Sequence, residues 1–206
     1  MIALDLQAKR FGAEVVLGPM RLEVAAGEVL GVAGPSGVGK SALLRILAGL
    51  DRDFEGRLSA SPRRPMVFQS PTLMPWRRVL ANVTIPTGAT AAAARALLER
   101  VGLRGLEDHY PGQISLGQAR RVALARAFAA RPEVLILDEP FASLDAERIG
   151  DLLALTAALI SELRPAVILA SHSAAELEAL STRRVRLEGR PARLIEDQRA
   201  RVRAGS

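Results

Sequence analysis

A chain of 206 residues in which 49% of the side chains are hydrophobic can bury one sizeable core, which excludes a disordered chain. The absence of cysteine excludes disulfides and thiolate metal sites, and no apolar run reaches the ~20 residues that a bilayer span requires. The net charge of +6 comes almost wholly from arginine, since only Lys9 and Lys40 are lysines; the arginines of the last stretch, from Arg183 to Arg203, have no aromatic residues between them and read first as a solvated surface, with a nucleic-acid or anionic-lipid contact as the alternative.

In chain order, residues 2–6 alternate apolar and polar and predict a half-buried strand, with Asp5 interrupting any apolar leader, so export is not expected. Lys9-Arg10-Phe11-Gly12 follows, then a strand pair near residues 15–17 and 20–24, the turn Ala25-Ala26-Gly27-Glu28, and a strand over residues 29–33. This is a small antiparallel layer feeding a parallel core. After a loop, residues 42–48 read as a helix stopped by Gly49, and residues 57–60 and 65–68 as strands, the second ending at Gln69. From residue 70 the pattern turns helical. Residues 89–101 carry Leu97, Leu98 and Val101 on one face, and residues 116–130 form a second amphipathic helix ended by Pro132. Continuous apolar runs at 134–137 and 166–170, with a helix over 147–163 between them, predict parallel strands buried on both faces. The expected division is a core of residues 1–69 and 133–206 with a helical insertion of residues 70–132.

The chemistry centres on Gly34-Pro35-Ser36-Gly37-Val38-Gly39-Lys40-Ser41, between a strand and a helix. That is the setting of a phosphate-binding loop. Its glycines let backbone N–H groups turn inward around a polyphosphate, the helix end adds a partial positive charge, Lys40 supplies a mobile cation, and the Ser41 hydroxyl suits Mg²⁺. Asp138 and Glu139 close the strand at 134–137, where carboxylates reach a nucleotide lying beyond the carboxyl ends of parallel strands. Asp138 suits a second Mg²⁺ contact through water, and Glu139 suits a base, or an orienting group, for the attacking water. Ser115 to Gln118 fits a Ser-x-x-Gln capping box, which aims free N–H groups outward from a helix start.

Residues 34–41, Gln69, Ile114-Ser115-Leu116-Gly117-Gln118, residues 134–139, Ser143-Leu144-Asp145 and His172 resemble, in order, the Walker A, Q-loop, signature, Walker B, D-loop and H-loop of the ATP-binding cassette (ABC) ATPases. The likeness covers nearly the whole chain. It implies an α/β fold with a phosphate-loop core, a mostly parallel sheet, an N-terminal antiparallel layer and a helical insertion carrying the signature. It also implies ATP and Mg²⁺ as cofactors and a homodimer, or a paired cassette, stacked head to tail. Ser115, Gly117 and Gln118 of one copy would then face the γ-phosphate held by the other, and Asp145 would act across the interface. By the same resemblance His172 contacts the γ-phosphate, Gln69 touches Mg²⁺ and the attacking water, and Phe11 stacks on adenine; from the residue alone Phe11 is equally a core side chain.

Leu116 departs from the family pattern, which has glycine there. Glycine permits close approach and unusual dihedrals, so the leucine is expected to weaken dimer closure. The stretch after Gln69, with Met74, Pro75 and Trp76, is similar to that of bacterial importer ATPases of the nitrate, sulfonate, taurine and thiamine groups. In those it receives a membrane subunit, which implies permease subunits docking near Met74, Pro75 and Trp76, a solute-binding protein as an indirect partner, and a place on the inner face of the cell membrane. With so few residues after the last predicted strands, the C-terminal regulatory domain of sugar importers is not expected. A mechanical ATPase acting on nucleic acid or ribosomes, and a weakly catalytic partner of a second cassette, are the alternatives. The transported solute is not legible.

Overall fold

The computed structural model of the chain describes residues 1–142 and 146–196. Ser143, Leu144 and Asp145 therefore lie outside the described residues. Strand β1 (Ile2–Phe11) alternates as its sequence demands, with Ile2, Leu4 and Leu6 turned into the core. It pairs antiparallel with β2 (Glu14–Leu17), β3 (Met20–Val24) and, further along the chain, β5 (Glu55–Ala60).

The parallel part runs in the order β6 (Met66–Val67), β7 (Val134–Asp138), β8 (Ala166–Ala170), β4 (Val29–Ala33) and β9 (Arg183–Gly189). Strand β10 (Ala192–Glu196) returns antiparallel along β9 and meets β2 at Ala192 and Leu17, so the ten strands among the described residues join one curled sheet. Strands β7 and β8 are buried throughout, as their unbroken apolar runs require.

Helix α1 (Lys40–Ala48) buries Leu43, Leu44, Ile46 and Leu47 in a core shared by the antiparallel layer and the parallel strands. A second core, built on Phe128, Phe141, Leu152, Leu159 and Leu177, lies against other side chains of the same strands. A third joins α2 (Val79–Thr87), α3 (Ala91–Arg100) and α4 (Leu116–Ala129) through Val79, Val83, Ala94, Leu98, Val122 and Ala125. Helix α5 (Ala146–Leu163) connects β7 to β8, and α6 (Ala174–Leu180) connects β8 to β9.

Two differences from the sequence reading have local causes. Helix α3 starts at Ala91, not 89, because the Thr90 hydroxyl accepts the Ala93 N–H and takes the N-cap position. Helix α2 went unread because it buries only a short Val79/Val83 stripe and contains Pro86; the proline falls in the last turn, where Gly88 in a left-handed conformation closes the helix.

Candidate functional site

The loop between β4 and α1 has the backbone that its glycines foretell. Gly34 (φ 149°) runs so close to β9 that a Cβ would sit 2.7 Å from the Leu187 carbonyl oxygen, and Gly39 (φ 112°) would drive one to 2.7 Å from Leu17. Gly39 caps α1 with no side-chain bond, so no side chain there covers the first-turn N–H groups. Lys40 is folded across the loop, its ammonium donating to the carbonyls of Gly34 (2.7 Å) and Pro35 (3.1 Å). Val38 turns towards the core instead of the loop's open side.

A cleft of about 560 Å³ opens over this loop. It gathers Phe11, Ser36, Gly37, Gly39, Lys40, Ser41, Gln69, Asp138, Glu139 and His172, residues brought together from the two ends of the chain. Val16, Ala42 and Arg45 also line it and were missed. The signal for Arg45 was present, since it stands one helical turn after Ser41 on the same face.

Asp138 ends β7 in a buried position that pushes its carboxyl above the ordinary range, against the pull of a hydrogen bond with Ser41 and the charges of Lys40 and Arg45; the neighbouring Glu139 pushes it further up. Glu139 adopts φ 49°, a left-handed conformation rare for a side chain of its kind, and its N–H is held by the Ala170 carbonyl (2.9 Å). The turn aims its carboxylate at His172, whose Nδ1 lies 2.6 Å from Oε2 while the His172 N–H donates to the same oxygen at 3.3 Å. The histidine ring is 71% exposed and the Glu139 side chain 11%, so the carboxylate sits at the cleft floor beneath an open imidazole.

Ser41, Asp138 and Gln69 offer only oxygen donors to a cation, the set that suits a hard ion such as Mg²⁺, which keeps waters and takes one or two carboxylates plus phosphate oxygens. Among the described residues no cluster of three or more His, Cys, Asp or Glu is placed to hold a metal by itself.

Phe11 is 54% exposed at the cleft, not in the core. The signature residues lie elsewhere. Ser115 caps α4, its hydroxyl accepting the Gln118 N–H (3.2 Å) while Gln118 Oε1 accepts the Ser115 N–H (2.8 Å), and none of Ser115, Gly117 and Gln118 lines the chain's own cleft. Neither Leu116 nor Gly117 has a positive φ. The first helical residue is ordinary right-handed backbone, so of glycine's two properties only its small size bears on position 116, where the leucine is 54% exposed.

The segment after Gln69 is pinned by three polar side chains that sequence reasoning passed over. Arg120 reaches the Gln69 carbonyl (3.4 Å), Arg126 donates to the carbonyls of Pro71 and Thr72 (both 3.0 Å), and the fully buried Asn82 clasps Met74, Arg77 and Arg78. Trp76 is left 71% exposed.

A strand-to-helix glycine loop bearing Lys40 and Ser41, facing a strand that ends in Asp138 and Glu139, defines a phosphate-loop nucleotide hydrolase. Residues 17–142 match the family described as ABC transporter, and the chain belongs to that family: it is an ATP-binding cassette ATPase. It is similar to the aliphatic sulfonates import ATP-binding protein SsuB 1 of Frankia alni, 44% identical over 183 residues, which cover 87% of this chain and 68% of that protein. It is likewise similar to SsuB 3 of Paraburkholderia xenovorans, 44% identical over 178 residues, covering 85% and 72%. Among solved structures it resembles the dimeric post-hydrolysis state of the ATP-binding cassette MJ0796 bound to ADP and Pi, with a TM-score of 0.86 at 26% identity over 98% of this chain and 99% of that one. No helix among the described residues is long and apolar enough to cross a membrane.

Proposed function

We propose that the chain is the motor subunit of an importer, closing as a head-to-tail homodimer around two ATP molecules and driving permease subunits at the cytoplasmic face of the membrane. The observation that carries it is the convergence of Lys40, Ser41, Gln69, Asp138, Glu139 and His172 on one cleft. The import function of the sulfonate relatives and the dimeric state of the solved neighbours support it.

In this reading the loop N–H groups and Lys40 bind the β- and γ-phosphates. Mg²⁺, held by Ser41 and Asp138 with Gln69 beside them, would neutralise phosphate charge. Glu139 accepts the proton of the attacking water, or orients it, and His172 holds the Glu139 carboxylate through Nδ1. Ser115, Gly117 and Gln118 complete the partner copy's site, since they stand outside their own, and Asp145 belongs to the same interface. Residues 70–132 act as a helical arm on a core of residues 1–69 and 133–206, with Trp76 and its neighbours Met74 and Pro75 as the permease contact.

Glu139→Gln tests the reading. Turnover is expected to fall about 10²- to 10⁴-fold with ATP binding retained, and light scattering should show an ATP-dependent dimer. Turnover at the parent rate sinks the role of Glu139, and an ATP-loaded monomer sinks the head-to-tail arrangement.

A further inference from the structure

Lys9 is buried, 2% exposed, in a chain whose other lysine serves the phosphate loop. Strict alternation along β1 would put it on the opposite face from Leu6 and Ala8. Instead Ala8 and Lys9 are buried in succession, at a point where β1 is irregular in both its pairings, with β5 between Leu6 and Ala8 and with β2 between Lys9 and Arg10. Such an irregularity re-aims one side chain, and here it turns an ammonium inward.

The ammonium is fully engaged. It contacts Asp51 at 2.9 Å, the Asp53 carbonyl at 2.6 Å and the Asp53 carboxylate at 3.4 Å, and it lies 4.7 Å from the centroid of the Phe11 ring. Burial lowers the pKa of Lys9, but the two aspartates more than offset that and hold it above 10.5, so it is charged at any physiological pH. Asp51 is not on a free loop. Its N–H and that of Leu50 both donate to the Arg45 carbonyl, closing the end of α1, and its carboxylate accepts the Asp53 N–H. Helix α1 begins at Lys40 and Ser41.

We propose that Lys9 is a positioning residue that sets the nucleotide base platform against the phosphate cradle. It ties Phe11 at the end of β1 to Asp51 at the far end of the helix whose first turn grips phosphate. The cation on one face of the ring fixes the ring's place and leaves its other face to the base. The inference rests on the reading of Phe11 as the base platform, and it adds a determinant of nucleotide affinity that acts without touching the nucleotide.

The test compares binding of ATP with binding of inorganic tripolyphosphate, which lacks a base, by calorimetry on the full chain. Phe11→Ala should weaken ATP binding about 5- to 150-fold and leave tripolyphosphate unchanged, as expected for loss of one base stack. Lys9→Met, which keeps the length of the stem, should weaken ATP binding about tenfold, again sparing tripolyphosphate, and should add nothing in the Phe11→Ala background. If Lys9→Met lowers the yield of folded protein, Asp51→Asn, which keeps the acceptor for Asp53, should show the same selective loss. An unchanged ATP-to-tripolyphosphate ratio in both Lys9→Met and Asp51→Asn, alongside a reduced one in Phe11→Ala, overturns the role of Lys9. Additive losses in the double variant overturn the route through the ring. An unchanged ratio in Phe11→Ala overturns the base platform itself, and the proposal with it.

Discussion

Asn82 offers the sharpest test of how the segment beyond Gln69 is held. Its side chain is wholly buried; Oδ1 accepts the Met74 N–H (2.7 Å), and Nδ2 faces the carbonyl oxygens of Met74 (3.1 Å), Arg77 (3.0 Å) and Arg78 (3.2 Å). Asn82→Asp keeps the shape and replaces the donor with an oxygen among three carbonyls. A protonated aspartic acid retains one donor, so the cost at low pH is about 2 kcal/mol for the lost bond and the unmet carbonyl. In the unfolded chain the new carboxyl ionises near pH 4, whereas burial among carbonyl oxygens keeps it protonated in the fold. Folding therefore takes up a proton, and stability falls by about 1.4 kcal/mol per pH unit as pH rises. Urea unfolding should show a deficit growing from about 3 kcal/mol at about pH 4.5 to about 5.5 kcal/mol at about pH 6.5. Trp76, the sole tryptophan, reports release of the segment by fluorescence while circular dichroism follows the whole fold. A deficit that does not change with pH would mean that the amide is not sealed among those carbonyls, and the reasoning would be wrong.

Leu116→Gly should change monomer stability by no more than about 1 kcal/mol, because the residue is exposed at the first helical position, while raising ATP turnover and ATP-dependent dimerisation. If neither rises, the leucine does not impede closure. Asp138→Asn should lower turnover at least about a hundredfold yet stabilise the nucleotide-free protein at neutral pH. The sign follows from burial: the folded-state pKa of Asp138 lies above 3.8, so its ionisation costs stability as pH rises through that raised value, and the amide has no such cost. Melting curves of parent and variant should converge at pH below 3.8, and a variant less stable than the parent at pH 7 refutes the account.

Features set by neighbouring residues were determined by the sequence alone. A glycine-rich turn between an apolar run and a helix, two carboxylates closing a buried strand and a Ser-x-x-Gln helix start are all fixed by backbone chemistry within a few positions, and each stands where the pattern put it. Tertiary structure alone decided what those pieces face. Only the curl of the sheet brings Phe11 and Val16 to the same cleft as His172, and only the close of β7 beside β8 lets Ala170 hold Glu139 in a left-handed turn aimed at that histidine. The partners of Lys9 and Asn82 were likewise not legible: Asp51 and Asp53 stand 42 and 44 residues from Lys9, and the Met74, Arg77 and Arg78 carbonyls around Asn82, though close in sequence, converge only when the segment before α2 folds back onto the helix. A side chain's partners depend on which surfaces meet after the core has closed, and that closure is a sum over the whole molecule which no local window contains.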